Sequence, residues 1–135
     1  MIFTAHSLPA RILESGDTYV SKLLETSELV AAAAGVGDWS FAFQSQSATG
    51  EAWLAPDILD HLEALAAHGV SDVLACPVGF VSDHLEIRWD LDVEARRRAD
   101  GLGLRFDRIE MPNADPVLID VLAGIVRREL AAVTA

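Results

Sequence analysis

Four short apolar segments recur along the chain, and each has the length of an ordinary β-strand. The third is continuously apolar and is followed by Pro77 and Gly79, a pattern typical of a strand buried on both faces. The second alternates apolar and polar residues from Trp39 to Phe43. The predicted strands span residues 2–5, 39–43, 73–76 and 104–109.

Longer segments with apolar residues at helical spacing separate these strands. In the first of them, Tyr19, Leu23 and Val30 share a stripe, and Gly35 ends it. A proline and an aspartate open the second segment, as they often open helices. The predicted helices span residues 17–34, 56–69, 82–101 and 117–133, and the third begins with either Ser82 or Asp83 as its cap.

Strands and helices alternate four times, which predicts an α/β fold: a four-stranded parallel sheet with helices on both faces and right-handed crossovers. The 135 residues suffice for one hydrophobic core, so we expect a single domain over residues 1–135. We expect the strand order 2-1-3-4. Ligands of such sheets bind beyond the carboxyl ends of the strands, where the strand order reverses, and this predicts a site between strands one and three.

Chemically active residues follow the predicted strands at that edge. His6 follows the first strand, Gln44 and Ser45 follow the second, Gly79 follows the third and Asn113 follows the fourth. Near neutral pH an imidazole accepts a proton or binds a borderline metal ion. Position alone leaves open the alternative that His6 is a half-buried residue that only hydrogen-bonds a loop.

Three carboxylates, Glu86, Asp90 and Glu94, follow one another at four-residue spacing on the third helix. Such a column of oxygen ligands could hold or relay a divalent ion. Like charges at this spacing destabilise a helix by about 0.2–0.5 kcal/mol per pair unless cations share them. A solvated acidic face is the simpler interpretation, and arginines at 88 and 96–98 could neutralise it.

The composition excludes several classes of protein. A net charge of −11 leaves no basic surface for nucleic acid or for an anionic membrane. Cys76 is the lone cysteine, which rules out a cysteine-built metal site or an internal disulfide within these residues and favours a reducing, cytoplasmic setting. The apolar runs are too short for a transmembrane helix.

Four segments together resemble the C-terminal half of ferrochelatases: FTAHSLP at 3–9, QS at 44–45, WLAPD at 53–57 and FVSDHLE at 80–86. Their order and spacing agree with that family over nearly the whole chain. WDLD at 89–92 and PNADP at 112–116 are most similar to the actinobacterial members.

The resemblance implies a Rossmann-like chelatase domain that inserts ferrous iron, its substrate, into protoporphyrin IX or coproporphyrin III in haem synthesis. It implies that His6 and Glu86 are the catalytic pair and also bind the metal, together with Asp90 and Glu94, on a helix that often has a π-type widening. The implied porphyrin contacts are Ser7, Gln44, Ser45, Trp53, Gly79, Phe80 and Ser82.

Two departures from the family leave alternatives open. The N-terminal half of the family is absent from this sequence, so a partner is expected: a separate N-terminal half, or a second copy as in short homodimeric cobalt chelatases. A non-catalytic porphyrin-binding, metal-binding or assembly module, associating through a flank around Trp53 and Phe80, is a further alternative. No iron–sulfur cluster is expected in this chain. If His6 and Glu86 face one crevice, their side chains should lie about 5–8 Å apart.

Overall fold

Four parallel strands form one sheet in the order β2-β1-β3-β4 in the computed structural model, which describes residues 1–47 and 50–133. The fold and the strand order predicted from the sequence are confirmed. The second strand begins one residue later than predicted and includes Gln44. The strands are β1 (Ile2–His6), β2 (Ser40–Gln44), β3 (Asp72–Cys76) and β4 (Arg105–Arg108).

The central strand β1 pairs unequally with its two neighbours. It pairs with β2 along its whole length, from Ile2 opposite Ser40 to His6 opposite Gln44. Its pairing with β3 covers only Ile2 and Phe3, after which the Gly79 amide donates to the Thr4 carbonyl oxygen at 3.1 Å. β1 and β3 therefore stop pairing before β1 ends, and the loop that follows β3 continues along β1 toward His6.

Helices connect these strands. A 3₁₀ turn at Ala10–Ser15, which the apolar pattern does not predict, precedes α1. The third predicted helix is a continuous run of three segments, called here the composite helix (residues 85–102). The helices are α1 (Tyr19–Ala34), α2 (Ile58–Ala67), α3 (Leu85–Ile87), the π segment (Arg88–Ala95), α4 (Arg96–Leu102) and α5 (Pro116–Val133).

The cap predicted from the sequence is present at α2 but not at the composite helix. The Asp57 carboxylate accepts a hydrogen bond from the Leu59 amide and caps α2. The composite helix begins later than predicted, after His84, and within the described residues no side-chain hydrogen bond caps it there. Neither Ser82 nor Asp83 is its cap, since tertiary contacts described below hold Asp83 outside the helix.

Apolar residues on both faces of the sheet form the core. One face packs against α2 and the composite helix, through Ile2, Ala42, Ile58, Leu62, Ile87 and Leu91. The other packs against α1, through Phe3, Ala5, Leu23 and Ala31. None of the helices in the described residues is long and apolar enough to cross a membrane.

Candidate functional site

His6 and Glu86 face each other at the carboxyl edge of the sheet. His6 ends β1 and Glu86 lies in the first turn of the composite helix. The His6 Nε2 atom lies 3.8 Å from Glu86 Oε2, which is closer than the separation expected from the sequence. The two side chains are 32% and 59% exposed, so an incoming ion or ligand can reach both.

The Ser7 carbonyl oxygen orients the His6 ring, and the Tyr19 hydroxyl holds the His6 backbone. The Nδ1 atom lies against the Ser7 carbonyl oxygen, which can only accept a hydrogen bond, so Nδ1 carries the proton of the neutral ring. The Tyr19 hydroxyl donates to the His6 carbonyl oxygen at 2.8 Å. The Nε2 lone pair is therefore left facing Glu86, an arrangement typical of a metal-binding imidazole.

The separation of this pair suits one shared metal ion. Bonds from a small divalent ion to imidazole nitrogen and carboxylate oxygen are about 2.0–2.2 Å long. Two atoms that share such an ion therefore lie at most about 4.3 Å apart. The observed 3.8 Å falls within that limit, so His6 and Glu86 could bind the same ion without moving far.

The widening implied for the composite helix is present, in the eight residues of the π segment. In a π-helix each hydrogen bond joins residues five apart, and one turn contains more than four residues. Residues four apart therefore fall short of a full turn there, whereas in an α-helix they pass beyond one. Asp90 receives a hydrogen bond from the Ser45 hydroxyl, at the end of β2, while Glu94 is exposed. Asp90 and Glu94 line one cleft of about 270 Å³ together with Asp57.

The carboxylates do not form a preformed metal cage. Across residues 1–47 and 50–133, no three His, Cys, Asp or Glu side chains come together in a group that could hold an ion. Glu86, Asp90 and Glu94 therefore follow one another along the composite helix and do not form one cluster. Their predicted metal role stays a prediction.

Negative charge accumulates in the cleft beside the π segment. The pKa of Asp57 is raised, first by its burial and then by repulsion from Asp60, Asp90 and Glu94, against the lowering effect of the Leu59 amide. Because the folded-state pKa of this acid is raised, its ionisation destabilises the fold, and stability is lost as pH rises through the acidic range.

Asp57→Asn is therefore expected to stabilise the protein at neutral pH. Asparagine caps a helix as well as aspartate does, so the bond to the Leu59 amide is kept while the charge is removed. Like-charge pairs cost about 0.2–0.5 kcal/mol each, so the loss of three such pairs predicts a rise in melting temperature of about 2–9 °C. Thermal melting at pH 7 and pH 4 checks this, since the gain should shrink as Asp57 takes up its proton in acid. An equal gain at both pH values would contradict it.

The loop after β3 lies against β1. A Cβ built on Gly79 would lie 2.6 Å from the Ala5 Cβ, so this glycine is required by packing inside the protein. The half-buried Phe80 ring lies 4.9 Å from the His84 ring, centroid to centroid. Ser82 is exposed. The close approach that glycine permits here is to the protein's own backbone, whereas the sequence suggested an approach to a ligand.

Two of the predicted porphyrin contacts have fully buried side chains. The Ser7 hydroxyl donates to the Leu54 carbonyl oxygen at 2.9 Å. The Gln44 Oε1 atom accepts from the Thr4 hydroxyl at 2.9 Å, and its Nε2 atom has no hydrogen-bond partner among the described residues. A place at the carboxyl edge of the sheet therefore does not bring these two side chains to the surface.

The Trp53 loop lies beside the exit of β1. Ala52 and Leu54 exchange backbone hydrogen bonds with Ala10 and Leu8, at 2.8 and 2.9 Å. These bonds hold the half-buried Trp53 near the segment that follows His6. The flank around Trp53 and Phe80 is thus partly covered within the chain itself.

The structure exposes an apolar stripe that the sequence did not assign to the site. Leu85 and Trp89, one turn apart on the composite helix, are 80% and 52% exposed, and Val81 precedes them. Large aromatic residues are more often part of the core, so the exposure of Trp89 is a finding of the structure. The stripe (Leu85 and Trp89, with Val81 in the turn before the helix) lies beside Glu86, and the four-residue spacing of Leu85 and Trp89 was its visible signal.

Known proteins resemble this chain over almost its whole length. The family model described as Ferrochelatase matches residues 1–130. A Ferrochelatase from Herpetosiphon aurantiacus is 48% identical over 126 residues, which cover 93% of this chain and 41% of the relative. A Coproporphyrin III ferrochelatase from Halalkalibacterium halodurans is 45% identical over 132 residues, 97% of this chain and 43% of the relative. The chain spans about two fifths of the length of these relatives.

A solved structure shares the fold at low sequence identity. It is described as a CbiX protein of cobalamin (vitamin B12) biosynthesis from Marinobacter aquaeolei VT8. The TM-score is 0.59 at 18% identity, and the match covers 97% of this chain and 96% of that one. At this identity the similarity shows the architecture alone.

Proposed function

Since the chain belongs to the ferrochelatase family, we propose that it is the metal-handling half of a site that inserts ferrous iron into a porphyrin in haem synthesis. The porphyrin is coproporphyrin III or protoporphyrin IX, and the names of several relatives favour the former. The observation that carries the proposal is the 3.8 Å approach of His6 Nε2 to Glu86 Oε2 at the open edge of the sheet. We place the reaction in the cytoplasm, where the buried Cys76 thiol stays reduced.

The reaction needs both a metal ligand and a proton acceptor. A porphyrin gives up two pyrrole protons as it gains one divalent iron, so the products are the metalloporphyrin and two protons. A neutral imidazole and a carboxylate that face each other can divide these tasks. Both groups are partly exposed, which lets the ion arrive hydrated and the protons leave to water.

The stripe gives the porphyrin an apolar surface beside this pair. Leu85 and Trp89 flank Glu86 on the composite helix and are both exposed. A flat aromatic macrocycle that lies against such side chains would bring its pyrrole nitrogens toward Glu86 and His6. Substrate binding and metal handling would then share one helix.

Neutralising the outer carboxylates is expected to weaken metal binding and leave the fold intact. Asp90→Asn and Glu94→Gln should each raise the dissociation constant for Zn²⁺ or Co²⁺ by about twofold to fivefold, because partly or fully solvated charges attract an ion only weakly. Calorimetry with thermal melting of each variant checks this, and Glu28→Gln on α1 serves as the control. Unchanged affinity with a lowered melting temperature would make these acids structural.

Absorption spectroscopy tests the proposed function directly. Coproporphyrin III or protoporphyrin IX is mixed with the chain, and then with Fe²⁺ without oxygen or with Zn²⁺. Metal insertion replaces the bands of the free base with those of the metalloporphyrin, and the chain should accelerate this change. A rate equal to that of the protein-free mixture, in the presence of any required partner, would overturn the proposal.

A second candidate function follows from the uncovered helix α5. Of the described residues of α5 none is buried, and Ile119, Leu122, Val126 and Leu130 are among its exposed apolar side chains. The matched relatives carry about three fifths of their length outside this chain. We propose that α5 and the stripe are covered by that remaining part of the family fold, without which the chain binds porphyrin or metal but does not turn over.

Light scattering at high concentration shows whether a second copy of this chain covers α5 and the stripe. A monomer supports a cover that is not a second copy of this chain, whereas a dimer supports self-association of the kind found in short homodimeric chelatases. Turnover that disappears in His6→Ala supports the enzyme. Tight porphyrin binding without metal insertion supports the non-catalytic module.

A further inference from the structure

Arg108, at the end of β4, joins two distant parts of the segment that carries Glu86. Its Nε and Nη2 atoms donate to the two carboxylate oxygens of Asp92, each at 2.8 Å. The same Nη2 atom lies 3.1 Å from Asp83 Oδ1. The Arg108 side chain is only 12% exposed, so this guanidinium is shielded from water far more than an ordinary surface arginine.

Asn113 holds the Asp83 end of this network a second time. Its Oδ1 accepts from the Asp83 amide at 2.8 Å, and its Nδ2 donates to Asp83 Oδ2 at 3.1 Å. The Asn113 amide also donates to the Val81 carbonyl oxygen at 2.9 Å. Its φ of 51° lies in the left-handed region, where asparagine is one of the few tolerated residues.

Along the sequence, Glu86 lies between the two acids that Arg108 contacts. Asp83 precedes the composite helix and Asp92 lies within its π segment. Since no described side chain caps the helix at His84, its start depends on contacts made by the turn before it. β4 in turn pairs with β3, and β3 with β1, which ends at His6. Arg108 therefore connects the sheet that carries His6 to the helix that carries Glu86.

We propose that Arg108 is a positioning residue for the metal site: it bridges Asp83 and Asp92 and so sets the separation of Glu86 from His6. This role rests on the proposed function, in which His6 and Glu86 bind one metal ion. It requires an arginine, since a planar guanidinium can bind one carboxylate with two nitrogens and reach a second carboxylate, which a lysine ammonium does not do.

Both acids are charged partners of this arginine at neutral pH. The Arg108 hydrogen bonds hold the pKa of Asp92 below its usual value, and the Asn113 amide together with Arg108 lowers that of Asp83. Because these folded-state pKa values are depressed, the network is intact above the ordinary carboxyl range and is lost as pH falls through it. The test below is therefore made near pH 7.

Arg108→Lys tests the role, since it keeps the charge and removes the bridge. Calorimetry should show Co²⁺ affinity weakened about 10-fold, the lower end of the range for residues that orient a metal ligand. The visible spectrum of bound Co²⁺ should change in intensity, since it reports the coordination geometry. Arg105→Lys is the matched control: Arg105 lies on the same strand, and its ion pair with Asp72 is exposed.

A second measurement needs no metal and so separates this inference from the proposed function. Wild-type NMR spectra should show a nuclear Overhauser contact between the imidazole protons of His6 and the side-chain methylenes of Glu86. Arg108→Lys should lose this contact, and so should Asn113→Gly, which keeps the left-handed backbone but frees Asp83. The Arg105→Lys control should retain it.

Loss of the His6–Glu86 contact in both variants, with other contacts retained, supports the positioning role of Arg108. This holds even if the wild type binds no Co²⁺, because the absence of Co²⁺ binding would count only against the proposed function. If the contact is retained and the Co²⁺ affinity and spectrum are unchanged, the positioning role is overturned and Arg108 is a purely stabilising residue. If Arg108→Lys does not fold, Asn113→Gly decides by the same contact.

Discussion

His6→Ala is expected to lower the rate of metal insertion by at least about 100-fold, because it removes one of the two groups between which the proposed mechanism divides metal binding and proton acceptance. Glu86→Gln should cause a loss of similar size, since glutamine keeps the shape of the side chain and removes the charge and the basic oxygen. The rate is measured from the growth of the metalloporphyrin absorption bands, with any required partner present.

Matched controls distinguish this loss from general damage. His68→Ala removes an exposed histidine at the end of α2, and Glu28→Gln removes an exposed carboxylate on α1. Both controls should retain the wild-type rate, and all four variants should melt close to the wild type because their side chains are partly or fully exposed. A His6→Ala variant with the wild-type rate would refute the assignment of the site.

Gly79→Ala is expected to destabilise the fold by about 1–3 kcal/mol. The added Cβ would lie 2.6 Å from the Ala5 Cβ and 3.0 Å from the Ala5 Cα, and the second of these is backbone of the central strand and cannot yield. For a chain of this size each kcal/mol lowers the melting temperature by roughly 3–6 °C. Metal insertion should also slow, since the loop that follows β3 is pushed away from β1 beside His6.

Gly101→Ala is the control, with an effect of opposite sign. Among the described residues nothing lies within 4 Å of a Cβ built there, and Gly101 is helical. Alanine should therefore raise stability by about 0.8–1 kcal/mol through its higher helix propensity. Equal melting temperatures for Gly79→Ala and the wild type would show that the loop can move away from β1. They would refute the explanation that a side chain at this position clashes with Ala5.

Local patterns determined the architecture because they act through neighbouring residues. The buried run at 73–76, the alternation at 39–43 and the Asp57 cap each specify an element without distant contacts. Alternating strands and helices then leave few topologies, and this is why the order 2-1-3-4 followed. The same order placed His6 at the open edge before any distance was known.

The identity of Glu86 as the partner of His6 came from the resemblance to ferrochelatases. Spacing alone described three carboxylates on one helix and could not separate them from a solvated acidic face. In the structure Glu86 faces His6, Asp90 meets Ser45, and Glu94 lines the cleft near Asp57. The π segment and the start of the helix decide which carboxylate faces which group, and neither can be read from four-residue spacing.

The sequence by itself therefore determined the strands, most helix boundaries, the fold and the edge at which the site lies. Only the tertiary structure decided that Ser7 and Gln44 are buried, that Trp89 is exposed, that Gly79 packs on Ala5 and that Arg108 bridges Asp83 and Asp92. The physical reason is the range of the interactions. Periodicity and capping join residues up to four apart, whereas Arg108 contacts Asp92 from 16 residues away and Asp83 from further still, so the packing of the sheet against the helix had to be known first.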